Sequence, residues 1–326
     1  MFSSFDKPIV ITGANASGKT AIALRIAKEI GAEIISADSR QIYKHLSAGT
    51  SKPAGRWINK ENPVYIVDSI PYHLVDFIDP IETYNVAKYI YDFKNCLLKI
   101  KTRKFIICGG TGFYINSIFN PLDPMPESNK HIRNQLREYL DKYGKEKLHE
   151  KLKELDPVSA KKIHPNNVHR VIRAIEVSIL TSKPYSSLIS NNIFNPKSYS
   201  NAFFVFIKWS RQLLSKRIKQ RTKEVFNHWE REIKDMITNG YPIDCPGLKS
   251  LGYPIMIDYI ENKISRDKAI ELIVKESMDY AKRQNTWFSR YESTKIEINE
   301  EKEFDIDSIA NNIISRYEIS CNNSNK

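Results

Sequence analysis

The sequence predicts an α/β protein, a P-loop NTPase-like parallel sheet flanked by helices, with an all-helical insertion domain. Three observations predict it. Short apolar, largely β-branched runs at residues 8–12, 33–36 and 105–108 have the length of buried strands, and the first and third lead through glycine-rich segments into helical periodicity. The first such segment, Gly13-Ala14-Asn15-Ala16-Ser17-Gly18-Lys19-Thr20, fits G-x-x-x-x-G-K-[ST] and lies between strand and helix as that motif requires. Strand character is missing from about 127 to 182 and returns at Phe203-Phe204-Val205-Phe206-Ile207.

Taken in order, Ile22, Ile26 and Ile30 recur at helical spacing after the glycine-rich loop, and a second strand follows at 33–36. The strand at 105–108 runs into Gly109-Gly110-Thr111-Gly112 and a further helix. Pro121, Pro124 and Pro126 then punctuate a connection. Ile132, Leu136 and Leu140, followed by Leu148, Leu152 and Leu155, predict two amphipathic helices, and a third runs from near Pro165 to Leu180. An Asn/Ser-rich stretch at 186–201 closes the insertion. The division expected is a core of residues 1–120 and 202–315, an insertion of 121–201, and a polar tail of 316–326, of which residues 321–326 are expected to fray.

The chain has 326 residues, 41% hydrophobic and 27% charged, which excludes disordered and fibrous classes. Its net charge of +12 is uneven: residues 1–290 carry 46 Lys and Arg against 30 Asp and Glu, whereas residues 291–326 carry 4 against 8. A basic body of this kind concentrates polyanions and points to a nucleic-acid partner. Cys96, Cys108, Cys245 and Cys321 lack zinc-ligand spacing, and no apolar run approaches the roughly 18 residues that cross a bilayer. No membrane partner is expected, and the setting expected is a reducing cytoplasm. The absence of an exposed apolar repeat predicts a monomer.

In the phosphate loop, glycines let backbone N–H groups turn toward phosphate oxygens at a helix N-terminus, Lys19 supplies a point charge, and the Thr20 hydroxyl suits Mg²⁺. Such a loop shows that a diphosphate or triphosphate is held, not which bond breaks. Phosphoryl transfer would need a second acidic ligand; Asp68, after Val64-Tyr65-Ile66-Val67, is one candidate, and it reads better as a turn residue. Asp38 follows the second strand and so lies at the carboxyl edge of the sheet, beside the phosphate loop. Spacing alone leaves it either a cap or an acid facing the ligand. Arg217 and Arg221, four apart, share one helix face, where a basic stripe in solvent is the competing reading for Arg217.

The phosphate loop, Ser36-Ala37-Asp38-Ser39-Arg40-Gln41-Ile42-Tyr43, Gly49-Thr50-Ser51-Lys52-Pro53, His73-Leu74-Val75-Asp76, Gly109-Gly110-Thr111-Gly112 and His164-Pro165-Asn166-Asn167 occur in one order. With Leu251-Gly252-Tyr253 and Ala281-Lys282-Arg283-Gln284-Asn285-Thr286-Trp287, the chain over residues 8–290 resembles the tRNA dimethylallyltransferases. The resemblance implies that N6 of adenosine 37, beside the anticodon of tRNAs reading codons that begin with U, attacks C1 of dimethylallyl diphosphate and expels pyrophosphate. It further implies that Asp38 accepts the N6 proton, that Thr111 helps hold the adenine, that Lys19, Mg²⁺ near Thr20 and Arg221 hold the diphosphate, and that the insertion meets the anticodon stem-loop. Residues placed against tRNA in this way are Asp38, Ser39, Arg40, Gln41, Thr111, Arg133, His169, Arg170, Val171, Ile172, Arg173, Lys249, Gly252, Tyr253, Lys282, Arg283 and Gln284.

Two departures from the family pattern stand out: Lys223-Glu224-Val225-Phe226-Asn227-His228-Trp229 replaces a glycine-containing segment, and Pro254 replaces an arginine or similar residue. They leave Lys19, Thr20, Asp38 and Thr111 untouched. A small-molecule P-loop kinase, a prenyltransferase acting on free adenine nucleotides and a non-catalytic tRNA-binding protein are the competing readings. The kinase and the free-nucleotide enzyme have no use for the basic insertion, and a non-catalytic protein would be expected to have lost Lys19 or Asp38.

Overall fold

Strand β1, Ile9–Gly13, is buried along its length, with Ile9 and Ile11 in one apolar cluster and Val10 in another. A strand apolar on both faces belongs in the middle of a covered sheet. The computed structural model describes residues 2, 4–61, 63–189, 199 and 201–324. In it the strands that follow are β2 (Glu33–Ser36), β3 (Arg56–Ile58), β4 (Val64–Val67), β5 (Ile70–His73), β6 (Phe105–Gly109), β7 (Phe203–Trp209) and β8 (Thr294–Ile298). Their order across the sheet is β3-β4-β5-β2-β6-β1-β7-β8.

From β5 to β8 every neighbouring pair is parallel, as the sequence predicts. The edge departs from that expectation: β3, β4 and β5 form an antiparallel meander. Asp68 and Ser69 have φ of 46° and 70° and form the exposed turn between β4 and β5. Two left-handed residues suit the twist of a tight hairpin, so Asp68 is a turn residue and not a metal ligand beside the phosphate loop.

One face of the sheet is covered by α1 (Lys19–Ile30), the other by α2 (Val86–Leu97) and α3 (Gly112–Phe119). Ile22 and Ile26 of α1 are fully buried, and each contributes about 1.5–3 kcal/mol by leaving water. After α3 the chain forms a second compact unit, Asn120–Phe194; the first unit comprises Met1–Phe119 and Asn195–Lys326. The second unit contains α4 (Lys130–Leu155), α5 (Pro157–Lys162) and α6 (Val168–Thr181). Gly144 breaks α4 into two helical segments, with φ 82° and ψ 171°. Leu136, Leu148 and Leu152 pack there against Val171, Ile172 and Ile175 of α6. Most of the Asn/Ser-rich closing stretch, residues 190–198 and 200, lies outside the described residues.

The first unit resumes at β7 and continues through α7 (Arg211–Thr238), α8 (Tyr253–Ile260), α9 (Arg266–Phe288), β8 and α10 (Ile306–Ser324). Fraying, expected over 321–326, is not seen at 321–324. Helix α10 runs to Ser324, and Ile309, Ile313 and Tyr317 are buried at a spacing of four in the cluster that includes Ile22 and Ile26. Tyr317 also donates from its hydroxyl to Lys7 O at 2.8 Å. Residues 325–326 lie outside the described residues. The two departures from the family pattern are absorbed locally. Helix α7 runs unbroken through residues 223–229, and Pro254 stands in the first turn of α8, where a missing N–H costs nothing.

Candidate active site

The loop joining β1 to α1 is held residue by residue. Lys19 Nζ donates to Ala14 O at 3.1 Å, and Asn15 N donates to Gln284 Oε1 at 3.1 Å. Arg217 Nε donates to Ala16 O at 3.2 Å, and Trp209 Nε1 donates to Ser17 O at 3.0 Å. Gly18 has φ 83°, and a Cβ there would fall 2.2 Å from the Phe304 ring, so both conformation and space require glycine. Helix α1 has no acidic residue in its first turn, which leaves the positive end of its dipole and its first N–H groups open to an anion. The buried Ser17 hydroxyl has no partner among the described residues, and it too fits a phosphate oxygen.

This loop forms one wall of a cleft of about 660 Å³ that Thr20, Asp38, Gln41, Thr50, Arg217, Arg221 and Glu224 also line. Burial lowers the pKa of Lys19, Arg217 and Arg221 from their ordinary values. Among the described residues none of these three cations pairs with a carboxylate. Buried charge of one sign without a partner is costly unless a ligand of opposite sign completes it. Thr20 and Asp38 share the cleft, and no cluster of three or more His, Cys, Asp or Glu side chains occurs among the described residues. That donor set fits Mg²⁺ bound by one or two protein oxygens and completed by ligand phosphates and water, rather than a metal caged by protein.

Strands β2 and β6 are neighbours, so the loops that leave their carboxyl ends meet. Asp38 Oδ1 accepts from Arg40 N at 2.8 Å and Gln41 N at 3.2 Å, while Oδ2 accepts no hydrogen bond among the described residues. One oxygen therefore fixes the turn and the other remains available. Thr111 Oγ1 accepts from Ser39 N at 2.9 Å and donates to Ser39 Oγ at 3.3 Å. Tyr280 of α9, which no sequence motif singles out, adjoins both: its pKa is pushed up to about 12, chiefly by burial and then by the charge on Asp38, with Thr111 beside its hydroxyl.

Several motif residues build the walls. Gln41 Nε2 donates to Thr50 O at 3.2 Å and to Ser51 O at 2.9 Å. The Lys52 ammonium is buried against Asp76 and donates to Tyr43 O at 2.6 Å. Arg221 donates to Ala48 O at 3.0 Å, and Glu232 accepts from the backbone of Ser47 and Ala48 at 2.6 and 2.9 Å. Tyr253, expected against tRNA, is buried and donates to Glu232 at 2.6 Å. Gly252 is buried beneath Trp229, which a Cβ would meet at 2.4 Å. Gly252 and Tyr253 thus shape the wall from within, whereas Lys249 nearby is exposed.

Gln284 also needs correction. It is buried, with Oε1 on Asn15 N and Nε2 on Gly110 O at 2.9 Å, so it braces the phosphate loop. Its neighbours Lys282 and Arg283 are exposed and, with Trp287 and Arg290, line a separate groove of about 480 Å³. In the second unit His169 and Arg170 are exposed, but Val171 and Ile172 are buried core, so their side chains are closed to a ligand. Arg133 and Arg173 bind the fully buried Glu176 at 2.9 and 2.7 Å. Trp209, Phe304, Glu232 and Glu176 belong to no spaced motif, so sequence reasoning missed them.

The IPP transferase family matches residues 41–291. A tRNA dimethylallyltransferase of Elusimicrobium minutum is 45% identical over 287 residues, 87% of this chain and 92% of its own. One from Thermoanaerobacter sp. is 40% identical over 293 residues, 88% of this chain and 90% of its own. Among solved structures, the full-length tRNA isopentenylpyrophosphate transferase of Bacillus halodurans is 30% identical with a TM-score of 0.65, covering 98% of this chain and 100% of its own. A eukaryotic dimethylallyltransferase acting on tRNA, at 22% identity and a TM-score of 0.74, shares the fold over 97% of this chain and 80% of its own. The chain belongs to the IPP transferase family, that of the tRNA dimethylallyltransferases.

Proposed function

We propose that this enzyme transfers a dimethylallyl group from dimethylallyl diphosphate to N6 of adenosine 37 in tRNAs that read codons beginning with U. The observation that carries the reading is the meeting, in one cleft, of buried Lys19 and half-buried Arg217 and Arg221, none paired with a carboxylate among the described residues, with an Asp38 carboxylate that keeps one oxygen available. The cations suit a leaving diphosphate, and the carboxylate suits a proton leaving the nucleophile.

N6 attacks C1, the C1–O bond breaks, pyrophosphate departs, and the N6 proton passes to Asp38. Lys19 and Arg221 stabilise the charge that grows on pyrophosphate, an interaction stronger in the transition state than in the ground state. Thr20 would hold Mg²⁺ against the diphosphate, where the ion would supply further neutralisation. Thr111, fixed by Ser39, holds the adenine. An aromatic amine is a poor nucleophile, so placement of N6 against C1 and a positioned base carry much of the rate.

The adenine must leave its stack to enter the cleft, and exposed His169, Arg170, Lys249, Lys282 and Arg283 are the groups suited to the anticodon stem-loop. No helix among the described residues is long and apolar enough to cross a membrane, and all four cysteines are free, which supports action in the cytoplasm. The test is incubation with Mg²⁺, radiolabelled dimethylallyl diphosphate and unmodified tRNA with adenosines at positions 36, 37 and 38. Label in acid-precipitable RNA, lost in Asp38→Ala, supports the reading. No label in any tRNA from folded protein sinks it.

A further inference from the structure

Arg217 differs from Arg221 in how it is held. Its guanidinium lies 4.3 Å from the Trp209 ring centroid and 4.7 Å from that of Phe304, and these two rings are 4.9 Å apart. Its Nε is committed to Ala16 O, while its two terminal nitrogens donate to nothing among the described residues. The acidic groups nearest in the cleft are engaged elsewhere: Glu301 binds Lys216 at 3.0 Å, and Glu224 accepts from Gln220 at 2.8 Å. A planar cation resting against two aromatic rings that also touch each other loses little further freedom on meeting a ligand, and its open fork matches two phosphate oxygens.

Trp209 acts on the loop as well. Its indole N–H binds Ser17 O, and across a trans peptide the Gly18 N–H points the opposite way. That N–H makes no backbone hydrogen bond of its own among those described. Phe304 joins Trp209 and Arg217 from the segment between β8 and α10, which lies beyond the residues matched by the family.

We propose that Arg217 is a second diphosphate-binding arginine, set in place by Trp209 and Phe304, so that the segment after residue 291 completes the diphosphate site. Arg217 meets the phosphates directly. Trp209 and Phe304 are positioning residues that act through it and through the Ser17–Gly18 peptide. The inference rests on the reading of the cleft as a diphosphate site.

The experiment uses the full chain and inorganic pyrophosphate with Mg²⁺ as probe, followed by calorimetry, and then steady-state kinetics with dimethylallyl diphosphate and tRNA. Binding of pyrophosphate by the wild type is the control for the cleft itself; its absence removes both the cleft reading and this inference. Arg217→Lys keeps the charge and the aliphatic stem but loses the planar fork. It is expected to weaken pyrophosphate binding at least about tenfold and raise KM for dimethylallyl diphosphate similarly, with KM for tRNA within about twofold of wild type. Phe304→Leu, which retains apolar cover over Gly18, is expected to raise the same KM about threefold to tenfold and leave kcat nearly unchanged. Pyrophosphate affinity of Arg217→Lys within twofold of wild type overturns the role of Arg217. Unchanged kinetics in Phe304→Leu overturn the part assigned to the C-terminal segment.

Discussion

Thr111 Oγ1 accepts a hydrogen bond of 2.9 Å from Ser39 N, tying the loop after β6 to the loop that carries Asp38. The contact fixes where the Asp38 carboxylate stands relative to the cleft, and the two residues separate cleanly under substitution. Asp38→Asn keeps an oxygen to accept from Arg40 N and Gln41 N, so the turn survives while the base is lost. The expected outcome is a fall in kcat of about 10²–10⁴-fold with an unchanged melting temperature. Thr111→Ala leaves Ser39 N–H without its acceptor and removes the group assigned to the adenine. Its expected effect is a KM for tRNA raised about tenfold, with KM for dimethylallyl diphosphate unchanged. Steady-state kinetics with each substrate varied in turn checks both.

The phosphate loop, the parallel strands and the helical insertion were legible because each depends on neighbours in sequence. Glycines must stand at fixed offsets to turn a backbone around phosphate, and β1 must be apolar on both faces to sit between β6 and β7. The loop's braces were not legible. Trp209, Gln284 and Phe304 reach it from up to about 290 residues away in the chain, and nothing local distinguishes an indole that holds a carbonyl from one that fills core. Ile309, Ile313 and Tyr317 recur at a spacing of four, but the polar residues between them hid the docked helix that this spacing builds. Gln284 shows the opposite failure, since a motif of basic and aromatic residues suggested RNA for a side chain that is buried.

Gln284→Leu is expected to destabilise the first unit even without substrate. The change leaves the part-buried Asn15 N–H and the buried Gly110 C=O without their side-chain partner, at a cost of about 2 kcal/mol. For a unit of this size that is a fall of roughly 4–8 °C in melting temperature. Because Asn15 belongs to the phosphate loop, KM for dimethylallyl diphosphate should rise as well. Thermal unfolding beside kinetics tests the pair of effects, and a variant as stable as wild type would remove Gln284 from its bracing role.

Glu176 makes the second unit sensitive to acid. Burial alone raises a carboxyl's pKa, but the hydrogen bonds from Arg133 and Arg173 outweigh it and hold Glu176 below its ordinary 4.5. Since the folded value is the lower one, the unfolded chain takes up the proton first as pH falls. The contribution is therefore complete above the ordinary value and is lost as pH falls through the folded value. Glu176→Gln should destabilise the unit at pH 7 by about 2 kcal/mol, less than for a fully buried pair because both arginines keep part of their surface in water. It should also flatten the loss of stability below pH 4.5. Hydrogen exchange of the α6 amides at pH 7 and in acid measures both, and an acid response equal to that of wild type contradicts the assignment.

Arg170 and Arg133 should respond in opposite ways when each is changed to alanine. Arg170 is exposed, whereas the Arg133 guanidinium is committed to Glu176 by two hydrogen bonds of 2.9 and 3.0 Å. If Arg170 meets a phosphate of the anticodon stem, its removal weakens tRNA binding at low salt and lowers the dependence of log K on log salt by about one, without affecting unfolding. Arg133→Ala instead leaves Glu176 short of one partner, so its first effect is on the stability of the second unit. Any loss of tRNA affinity then follows from that, and stabilising the unit at lower temperature should recover part of it. Filter binding at several salt concentrations, beside hydrogen exchange of both variants, distinguishes the two. Equal salt slopes for wild type and Arg170→Ala would place the RNA on another surface of this unit.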